Sequence, residues 1–312
     1  MTRLNPARET ADGGTDPGPS AFEAYRADLL RVAYRLLGSH SDAEDAVQEA
    51  WLRWNATDRT RVADPKGWLV TVVSRICLDL LRSARVRRES YVGQWLPEPV
   101  VRALPAGEDP ADTVVRGDEV SYALLVVMER LTPDQRVAFV LHDAFGVPFD
   151  QIAATLEVTP EAARQLASRA RRALTASGVI RHTPDLAEQR RVMAAFASAI
   201  DSGDLDALVA VLAPDAVAMG DGGGVVPAGR RPVVGADRVA RLLLGLVATY
   251  RDRPPGLELT PALVNGDLGL VIRFGMPDGS AAYGVTVFAI ADGRITGVFN
   301  QLNPAKLRLP PL

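Results

Sequence analysis

The chain has 312 residues, 47% of them hydrophobic, and a formal net charge of −3 at neutral pH. This length is sufficient for two or three domains, and the acidic balance excludes a protein that is basic over its whole surface, so any nucleic-acid contact depends on local patches. With one cysteine, Cys77, no apolar run of membrane-spanning length and no N-terminal secretory signal, the sequence excludes a disulfide framework and favours a cytoplasmic protein.

Residues 1–20 are rich in glycine, proline, threonine and aspartate, a composition that predicts a disordered tail. The pattern over 22–88 is helical throughout, with a break at Gly38 and a helix cap at Ser41 or Asp42. We therefore expect the first domain to be a bundle of helices.

The second predicted helix has an acidic face. Four acids and no base fall within residues 42–49, while the apolar side chains of this helix face inward. Such a face repels DNA and suits a basic protein partner. Three polar side chains cluster along one side of it and are called the acidic edge below: Asp45, Gln48 and Glu49.

The helix predicted from Pro65 to Arg88 mixes aromatic and basic side chains. Bases of an unstacked strand stack on aromatic rings while guanidinium groups bind phosphates, so this mixture suits single-stranded nucleic acid. For each tryptophan considered alone, the alternative is an ordinary position in the hydrophobic core. The residues concerned are Trp68, Arg75, Asp79, Arg82, Arg85, Arg87 and Arg88.

A loop rich in proline and glycine follows over about 91–110, and a second helical unit extends over about 118–176. Within this unit Thr132 caps a helix predicted over 133–145, and glycine and proline separate it from a short helix over 149–156. Short helices joined by tight turns, followed by a basic helix, are typical of a helix-turn-helix DNA-binding domain.

The last helix of this unit begins with Thr159 as cap and Pro160 at its first position. Its apolar residues recur at intervals of three and four, which predicts one buried stripe: Ala163, Leu166, Ala167, Ala170 and Leu174. The opposite face has amide and guanidinium groups suited to bases and phosphates in a major groove, although a solvated amphipathic helix is the alternative. These residues are Arg164, Gln165, Ser168, Arg169, Arg171 and Arg172.

The pattern changes after Gly178 to a mixture of helices and strands. Helices are predicted near 186–202, 205–212 and 236–250, with a glycine-rich loop before the third. Two hairpin turns, Asn265-Gly266 and Asp292-Gly293, separate runs of strand composition. The strands are predicted over 257–264, 268–274, 282–290 and 295–302.

Taken together, these segments resemble the extracytoplasmic-function sigma factors of bacterial RNA polymerase. SDAEDAVQEAWLRW resembles the core-binding helix, DPKGWLVTVVSRICLDLLRSARVRRE the promoter-melting helix, and the stretch from LTPDQRVAF to SRARRAL the domain that reads the minus-thirty-five element. Three further motifs resemble those of the group 41 (SigJ-like) members. They are Trp95-Leu96-Pro97-Glu98-Pro99, Asp221-Gly222-Gly223-Gly224 and Asn303-Pro304-Ala305-Lys306-Leu307, in which Ala305 replaces the usual acid.

This resemblance implies a multidomain fold. Two all-α domains, a region 2 bundle and a region 4 helix-turn-helix, precede an α+β domain of the cone-shaped SnoaL-like (NTF2-like) fold. The implied segments are 1–20 tail, 21–90 region 2, 91–117 linker with the WLPEP motif, 118–177 region 4, 178–185 second linker and 186–312 SnoaL-like regulatory domain.

The resemblance also implies roles for the residues singled out above. The acidic edge would contact the basic clamp helices of the polymerase beta-prime subunit. Trp68, Arg75, Asp79 and Arg82 lie where the family melts and reads the minus-ten element. Arg164, Gln165, Ser168 and Arg169 would read the minus-thirty-five element, with Arg171 and Arg172 on phosphates. The WLPEP, DGGG and NPAKL segments would form regulatory contacts between linker and C-terminal domain.

Partners implied by the resemblance are core RNA polymerase, promoter DNA and a small-molecule or protein effector of the C-terminal domain, with no cofactor and no metal, and we expect a monomer. Two alternatives remain. One is a ligand-responsive, one-component DNA-binding regulator, and the other is a SnoaL-type isomerase or cyclase fused to a DNA-binding module. The second would need a general acid or base, and because all three histidines precede residue 186, only Asp215 and Asp221 are candidates. We therefore expect a non-enzymatic protein.

Overall fold

A computed structural model of the protein describes residues 18–88, 91–104, 120–176 and 185–310, and the side chains of 18–21, 84–88 and 186 lie outside the description. The predicted tail over 1–20 therefore lies mostly outside the described residues. Its last three residues are helical, because a proline near the start of a helix has the required backbone angle and needs no hydrogen-bond acceptor.

The N-terminal domain consists of helices α1 (Gly18–Leu37), α2 (His40–Ala56) and α3 (Pro65–Arg88), with a 3-10 turn at Arg59–Arg61. The predicted cap of α2 was wrong by two residues or more. Ser39, directly after the left-handed Gly38, is the cap, and its hydroxyl accepts from the Asp42 amide at 3.2 Å.

The helix-turn-helix domain contains helices α4 (Tyr122–Met128), α5 (Pro133–Phe139), α6 (Phe149–Leu156) and α7 (Pro160–Ala176). Thr132 caps α5 as predicted and forms a reciprocal capping box with Gln135. The helix predicted to continue to Phe145 changes to π-helical geometry over Val140–Ala144. The predicted stripe of α7 is confirmed, since its alanines and Leu174 are buried and Leu166 is partly buried.

The two helical domains share one hydrophobic core, and α3 packs against α5 and α6. Arg136 of α5 connects them. Its buried guanidinium donates to the carbonyl oxygens of Leu36 at 2.9 Å and Met128 at 3.1 Å, and it pairs with Glu129 at 2.6 Å. Because Leu36 lies in the last turn of α1, this arginine satisfies a terminal carbonyl of the other domain.

The C-terminal domain packs helices α8 (Leu186–Ser202), α9 (Leu205–Val211) and α10 (Ala236–Arg251) against a curved sheet. Four predicted strands are confirmed within one or two residues at each end. Three further strands, β1, β2 and β3, were not predicted from the sequence pattern. The strands are β1 (Val101–Ala103), β2 (Leu212–Asp221), β3 (Val233–Val234), β4 (Glu258–Val264), β5 (Asp267–Gly275), β6 (Ala281–Ala291) and β7 (Arg294–Gln301), and a 3-10 turn follows at Pro304–Lys306.

The order of the sheet in the described residues is β1-β4-β5-β6-β7-β2-β3, with β2 parallel to β7 and the other neighbours antiparallel. Strand β1 belongs to the linker, and its Val101 pairs with Val264 at the edge of the sheet. A separate core joins the linker and α4 to the sheet. It consists of Leu96, Tyr122, Ala123, Val126, Val264, Val285, Val287, Ala289 and Phe299.

None of the helices in the described stretches is long and apolar enough to cross a membrane.

Candidate functional site

The acidic edge lies on the surface of α2. Asp45 and Gln48 are exposed, and Glu49 is partly exposed and pairs with Arg53 at 3.0 Å. The opposite side of the helix packs into the core through its alanines, Val47 and Trp54. Because that side is buried, the acidic edge faces solvent, where a basic partner can reach its carboxylates.

The C-terminal segment reaches the same helix. Arg308 lies 3.4 Å from Glu44, next to Asp45, and both side chains of the pair are more than half exposed. An ion pair this exposed contributes at most about 1 kcal/mol, so it places the segment beside the acidic edge without covering it.

Two of the α3 residues predicted to bind the minus-ten element instead contact the helix-turn-helix domain. Arg75 donates to the Ala154 carbonyl oxygen at 2.7 Å, and Arg82 pairs with Asp134 at 3.0 Å. The Trp68 ring is partly buried, with its centre 5.4 Å from that of Trp54. Asp79 is exposed, and the side chains of Arg85, Arg87 and Arg88 lie outside the described residues. Arg75 and Arg82 each make a contact with the helix-turn-helix domain, while their side chains remain exposed.

The polar face of α7 is on the surface. Gln165, Ser168, Arg169 and Arg172 are exposed. The remaining two guanidinium groups have acidic neighbours. Arg164 lies 3.4 Å from Glu161 and over the Phe149 ring, and Arg171 pairs with Asp143 at 2.7 Å. The second contact raises the pKa of Arg171, chiefly through its hydrogen bond to Asp143.

The linker is bound to the C-terminal domain around the buried carboxylate of Asp221. One oxygen accepts from the Leu96 amide at 2.9 Å and pairs with Lys306 Nζ at 2.7 Å. The other accepts from the Tyr91 hydroxyl at 2.6 Å and the Gly223 amide at 3.0 Å. Together these contacts satisfy the acid and bring the three predicted motifs into one cluster, called the linker junction.

Lys306 adds contacts of its own to the linker junction. Its ammonium donates to the Leu96 carbonyl at 2.8 Å and lies 4.1 Å from the centre of the Trp95 ring and 5.0 Å from that of Tyr91. The neighbouring Ala305, where the resemblance predicts an acid, is exposed. The contacts of this segment therefore do not need a side chain at that position.

The glycines of the DGGG segment permit close approach of other groups. A Cβ on Gly222 would lie 1.9 Å from the Val226 carbonyl oxygen, and one on Gly223, whose φ is +61°, would lie 2.4 Å from the side chain of Asn303. Gly224 packs near Val92 of the linker. Asn303 also caps the turn that contains Pro304, while Leu307 packs on the core beneath the linker.

Glu98 of the WLPEP motif contacts the N-terminal domain rather than the C-terminal one. Its carboxylate accepts from the Ser39 hydroxyl at 2.8 Å, the His40 amide at 2.7 Å and the Ser41 hydroxyl at 3.1 Å. An acid at this position is favourable because it accepts from the unpaired amides at the start of α2. Pro97 and Pro99 on either side are buried.

Three residues that form linker contacts were not predicted from the sequence. Gln301 donates to the carbonyl oxygens of Leu96 and Pro97, Tyr91 bridges Asp221 and Asn303, and Asn265 bonds to Val100, Val120 and Tyr34. Asn265 had been assigned only to a hairpin turn. Each acts on a segment distant in sequence, so no local spacing identified it.

Comparison with known families assigns three segments of the chain. Residues 21–87 match the family described as Sigma-70 region 2, residues 121–174 match Sigma-70 region 4, and residues 192–298 match the SnoaL-like domain. The chain is 50% identical over 303 residues to the ECF RNA polymerase sigma factor SigJ of Mycobacterium tuberculosis, covering 94% of each chain. The chain belongs to the ECF sigma factors.

Further relatives support this assignment. The sigma factor is 42% identical over 298 residues to the probable ECF RNA polymerase sigma factor SigI of the same species, covering 94% of this chain and 95% of the relative. The crystal structure of M. tuberculosis SigJ matches it with a TM-score of 0.71 and 46% identity, over 92% of this chain and 97% of that one. The protein is therefore a transcription initiation factor that binds core RNA polymerase and recognises promoters, with a fused SnoaL-like domain.

The sheet and helices of the SnoaL-like domain enclose a cavity of about 420 Å³. Aliphatic and aromatic side chains from α8, α10 and the sheet form most of its wall, and the described lining includes no aspartate, glutamate or histidine. Asp215 is exposed on β2, and Asp221 belongs to the linker junction. The two candidate acids for catalysis thus lie outside this cavity wall.

Tyr91 and His40, both near the linker, have perturbed pKa values. Burial, and then the hydrogen bond to Asp221, raise the pKa of Tyr91, so the phenol stays neutral and donates to the carboxylate. Burial lowers the pKa of His40 below 6.5, against an opposing effect of Glu98, and its ring stacks on Tyr34 at 4.3 Å.

We expect acidification to destabilise the sigma factor through His40. The unfolded chain binds more protons than the folded one below the unfolded pKa of 6.5, so this contribution is complete above that pH and is lost as pH falls through the lower folded pKa. Urea unfolding between about pH 7.5 and pH 5 should show a smaller loss of unfolding free energy for His40→Gln than for the wild type. Equal slopes would exclude His40 as the titrating group.

Proposed function

We propose that the acidic edge of α2 binds the basic clamp helices of the polymerase beta-prime subunit. The support is the exposure of Asp45, Gln48 and Glu49 on a helix whose opposite side is buried. We place this activity in the cytoplasm, where the polymerase acts, and assign the protein as a monomer before it binds.

We propose that the free chain is a resting form in which two cations of α3 contact region 4 instead of DNA. The observation that carries this proposal is the engagement of Arg75 and Arg82 by Ala154 and Asp134 of the region 4 domain. Binding to polymerase separates the two domains, and Trp68, Arg75, Asp79 and Arg82 then bind the melted minus-ten strand. Two modest DNA contacts on one polymerase reinforce each other through effective concentration.

A crosslinking experiment tests this opening. A photoreactive amino acid at position 75 should crosslink to the segment around Ala154 in the free chain, and to the nontemplate strand in a complex with core polymerase and promoter. Position 172, on the exposed face of α7, is the control and should not crosslink to α3 in the free chain. Retention of the crosslink to region 4 in an active promoter complex, without a crosslink to DNA, would exclude the opening.

For the minus-thirty-five element, we propose that Arg164, Gln165, Ser168 and Arg169 read bases and that Arg171 and Arg172 bind phosphates. Arg169→Ala should weaken holoenzyme binding to the cognate promoter by about 1–3 kcal/mol and relax preference at one base pair. Arg172→Ala is the matched control and should weaken binding to all sequences alike. It should also reduce the slope of log affinity against log salt concentration by about one. Competition assays with a promoter library measure both effects, and indistinguishable base preferences would overturn the division.

The SnoaL-like domain acts as a regulator rather than an enzyme. It fixes the linker through the linker junction, and the linker in turn contacts α2 through Glu98. This continuous path allows the C-terminal domain to set the distance between regions 2 and 4, and hence the promoter spacing that is recognised. Transcription by core polymerase from templates that differ only in spacer length should show one preferred length, and a flat profile would contradict this role.

The exposed α7 face also suits the alternative of a one-component regulator. That function requires tight operator binding by the isolated chain. Promoter-dependent transcription that needs both the chain and core polymerase, with weak DNA binding by the chain alone, separates the sigma-factor role from this alternative.

A further inference from the structure

The SnoaL-like cavity is lined mostly by apolar side chains, and Arg231, whose side chain is exposed, is the charged residue in its described lining. Phe196, Leu243, Leu270 and Phe288 are among the side chains that form its wall, and its volume of about 420 Å³ falls in the range of small-molecule sites. A cavity with this wall favours a ligand that is mostly hydrocarbon.

Polar atoms of the lining are few. The Thr286 hydroxyl donates to Asn300 Oδ1 at 2.8 Å, and this bond uses the hydroxyl hydrogen and one acceptor position of the amide oxygen. Gln94, directly before the WLPEP motif, is the linker residue in the described lining. Its amide nitrogen donates to the Gly229 carbonyl at 2.7 Å, which fixes the side chain against the loop after β2.

The other end of the Gln94 amide is not satisfied. Its Oε1 is buried and has no hydrogen-bond partner among the described residues. Leaving a buried acceptor unpaired is unfavourable, and most such groups in proteins have a partner or a bound molecule. Because Gln94 lines the cavity and its amide nitrogen is already bonded, its Oε1 is the acceptor that we assign to a donor on a bound molecule.

We propose that the cavity binds an apolar small molecule with one hydrogen-bond donor, such as a medium-chain or polycyclic alcohol, and that Gln94 accepts the bond from this donor. The hydrocarbon part lies against the wall formed by α8, α10 and the sheet. Since Gln94 belongs to the linker, the bound molecule stabilises the linker in its position on the C-terminal domain. The effect on transcription rests on the proposed regulatory role, whereas the binding itself does not.

Binding to the full-length protein is the first test, with n-decanol as the probe and decyl methyl ether as its matched control. The two molecules share the alkyl chain, but the ether has no donor. Titration calorimetry should show saturable binding of one decanol per chain, roughly tenfold tighter than the ether. Exchange of the backbone amide hydrogens of residues 94–96 should become slower with decanol. Absence of saturable decanol binding, or equal affinities for alcohol and ether, would overturn the proposal.

A substitution isolates the role of Gln94. Gln94→Leu removes the acceptor and keeps the size of the side chain, so this variant should bind alcohol and ether with equal affinity. A retained tenfold preference in the variant would assign the donor contact elsewhere and overturn the proposal. Promoter-dependent transcription is measured on the same wild-type preparation. If transcription proceeds without decanol binding, the ligand inference alone fails, and if the chain does not direct transcription, the proposed function fails.

Discussion

Replacing Asp45 and Glu49 together by lysine is expected to abolish binding of the sigma factor to core RNA polymerase while the fold is retained. Both side chains are accessible, and the Glu49–Arg53 pair is about half exposed, so the loss of unfolding free energy should stay below about 1 kcal/mol. Like charges facing the basic clamp helices should weaken association at least about a hundredfold. Equilibrium titration of labelled core polymerase measures the affinity, and circular dichroism checks the fold.

A variant with the same change in net charge is the control for this experiment. Asp201 and Asp252 are exposed in the SnoaL-like domain, outside the N-terminal domain that carries the acidic edge, and Asp201→Lys with Asp252→Lys should leave polymerase affinity within about twofold of the wild type. If the control loses affinity to the same extent, the overall charge rather than the acidic edge determines binding. Full affinity of the first variant would remove this partner assignment.

The second large effect is expected at the linker junction. Asp221→Asn keeps the shape of the side chain but removes the charge that Lys306 Nζ contacts at 2.7 Å, where the lysine side chain is 11% exposed and the aspartate fully buried. Leaving one member of a buried pair without its counter-charge costs about 3–5 kcal/mol. We expect this loss of unfolding free energy, faster hydrogen exchange at the Leu96 amide, and a broader preference for promoter spacer length.

A double-mutant cycle with Lys306→Met isolates the contribution of the pair. The double variant should be more stable than the sum of the two single changes implies, with a coupling of about 1–3 kcal/mol. Arg308→Met is the matched control, because Arg308 is also a base near the C-terminus paired with an acid of another element, but at an exposed site. Its effect should be below about 1 kcal/mol. If Asp221→Asn and Lys306→Met change the free energy of unfolding additively, Asp221 and Lys306 act separately.

Local chemistry accounts for the elements that the sequence analysis predicted. The helices have clear caps and periodic apolar residues. Helix α7 buries its predicted stripe because residues spaced three and four apart lie on one face of a helix. The two hairpin turns were predicted from equally local sequence signals. Asn265 and Asp292 adopt positive φ and are each followed by glycine, as tight turns between twisted strands require.

Contacts between distant segments account for what was missed. Strand β2 contains Pro214 and Asp215, residues that are rare in strands, and its apolar side chains do not alternate regularly with polar ones. It pairs with β7 in parallel, with a shift in register near its start. Strand β1 has three residues and exists by pairing with β4. Likewise, composition marks Arg75 and Arg82 as cationic, but only the packing of α3 on region 4 determines what they contact at rest.

The small core beneath the linker affects how shortened chains behave. Leu96 and Tyr122 are fully buried there against Phe299 and other sheet residues, although they belong to the linker and to α4. A truncation that removes the SnoaL-like domain exposes this apolar surface to water and leaves β1 without its neighbouring strand. Such a chain is prone to self-association. Reduced or altered transcription by it would therefore report on solubility as well as on the missing domain, and single substitutions distinguish the two.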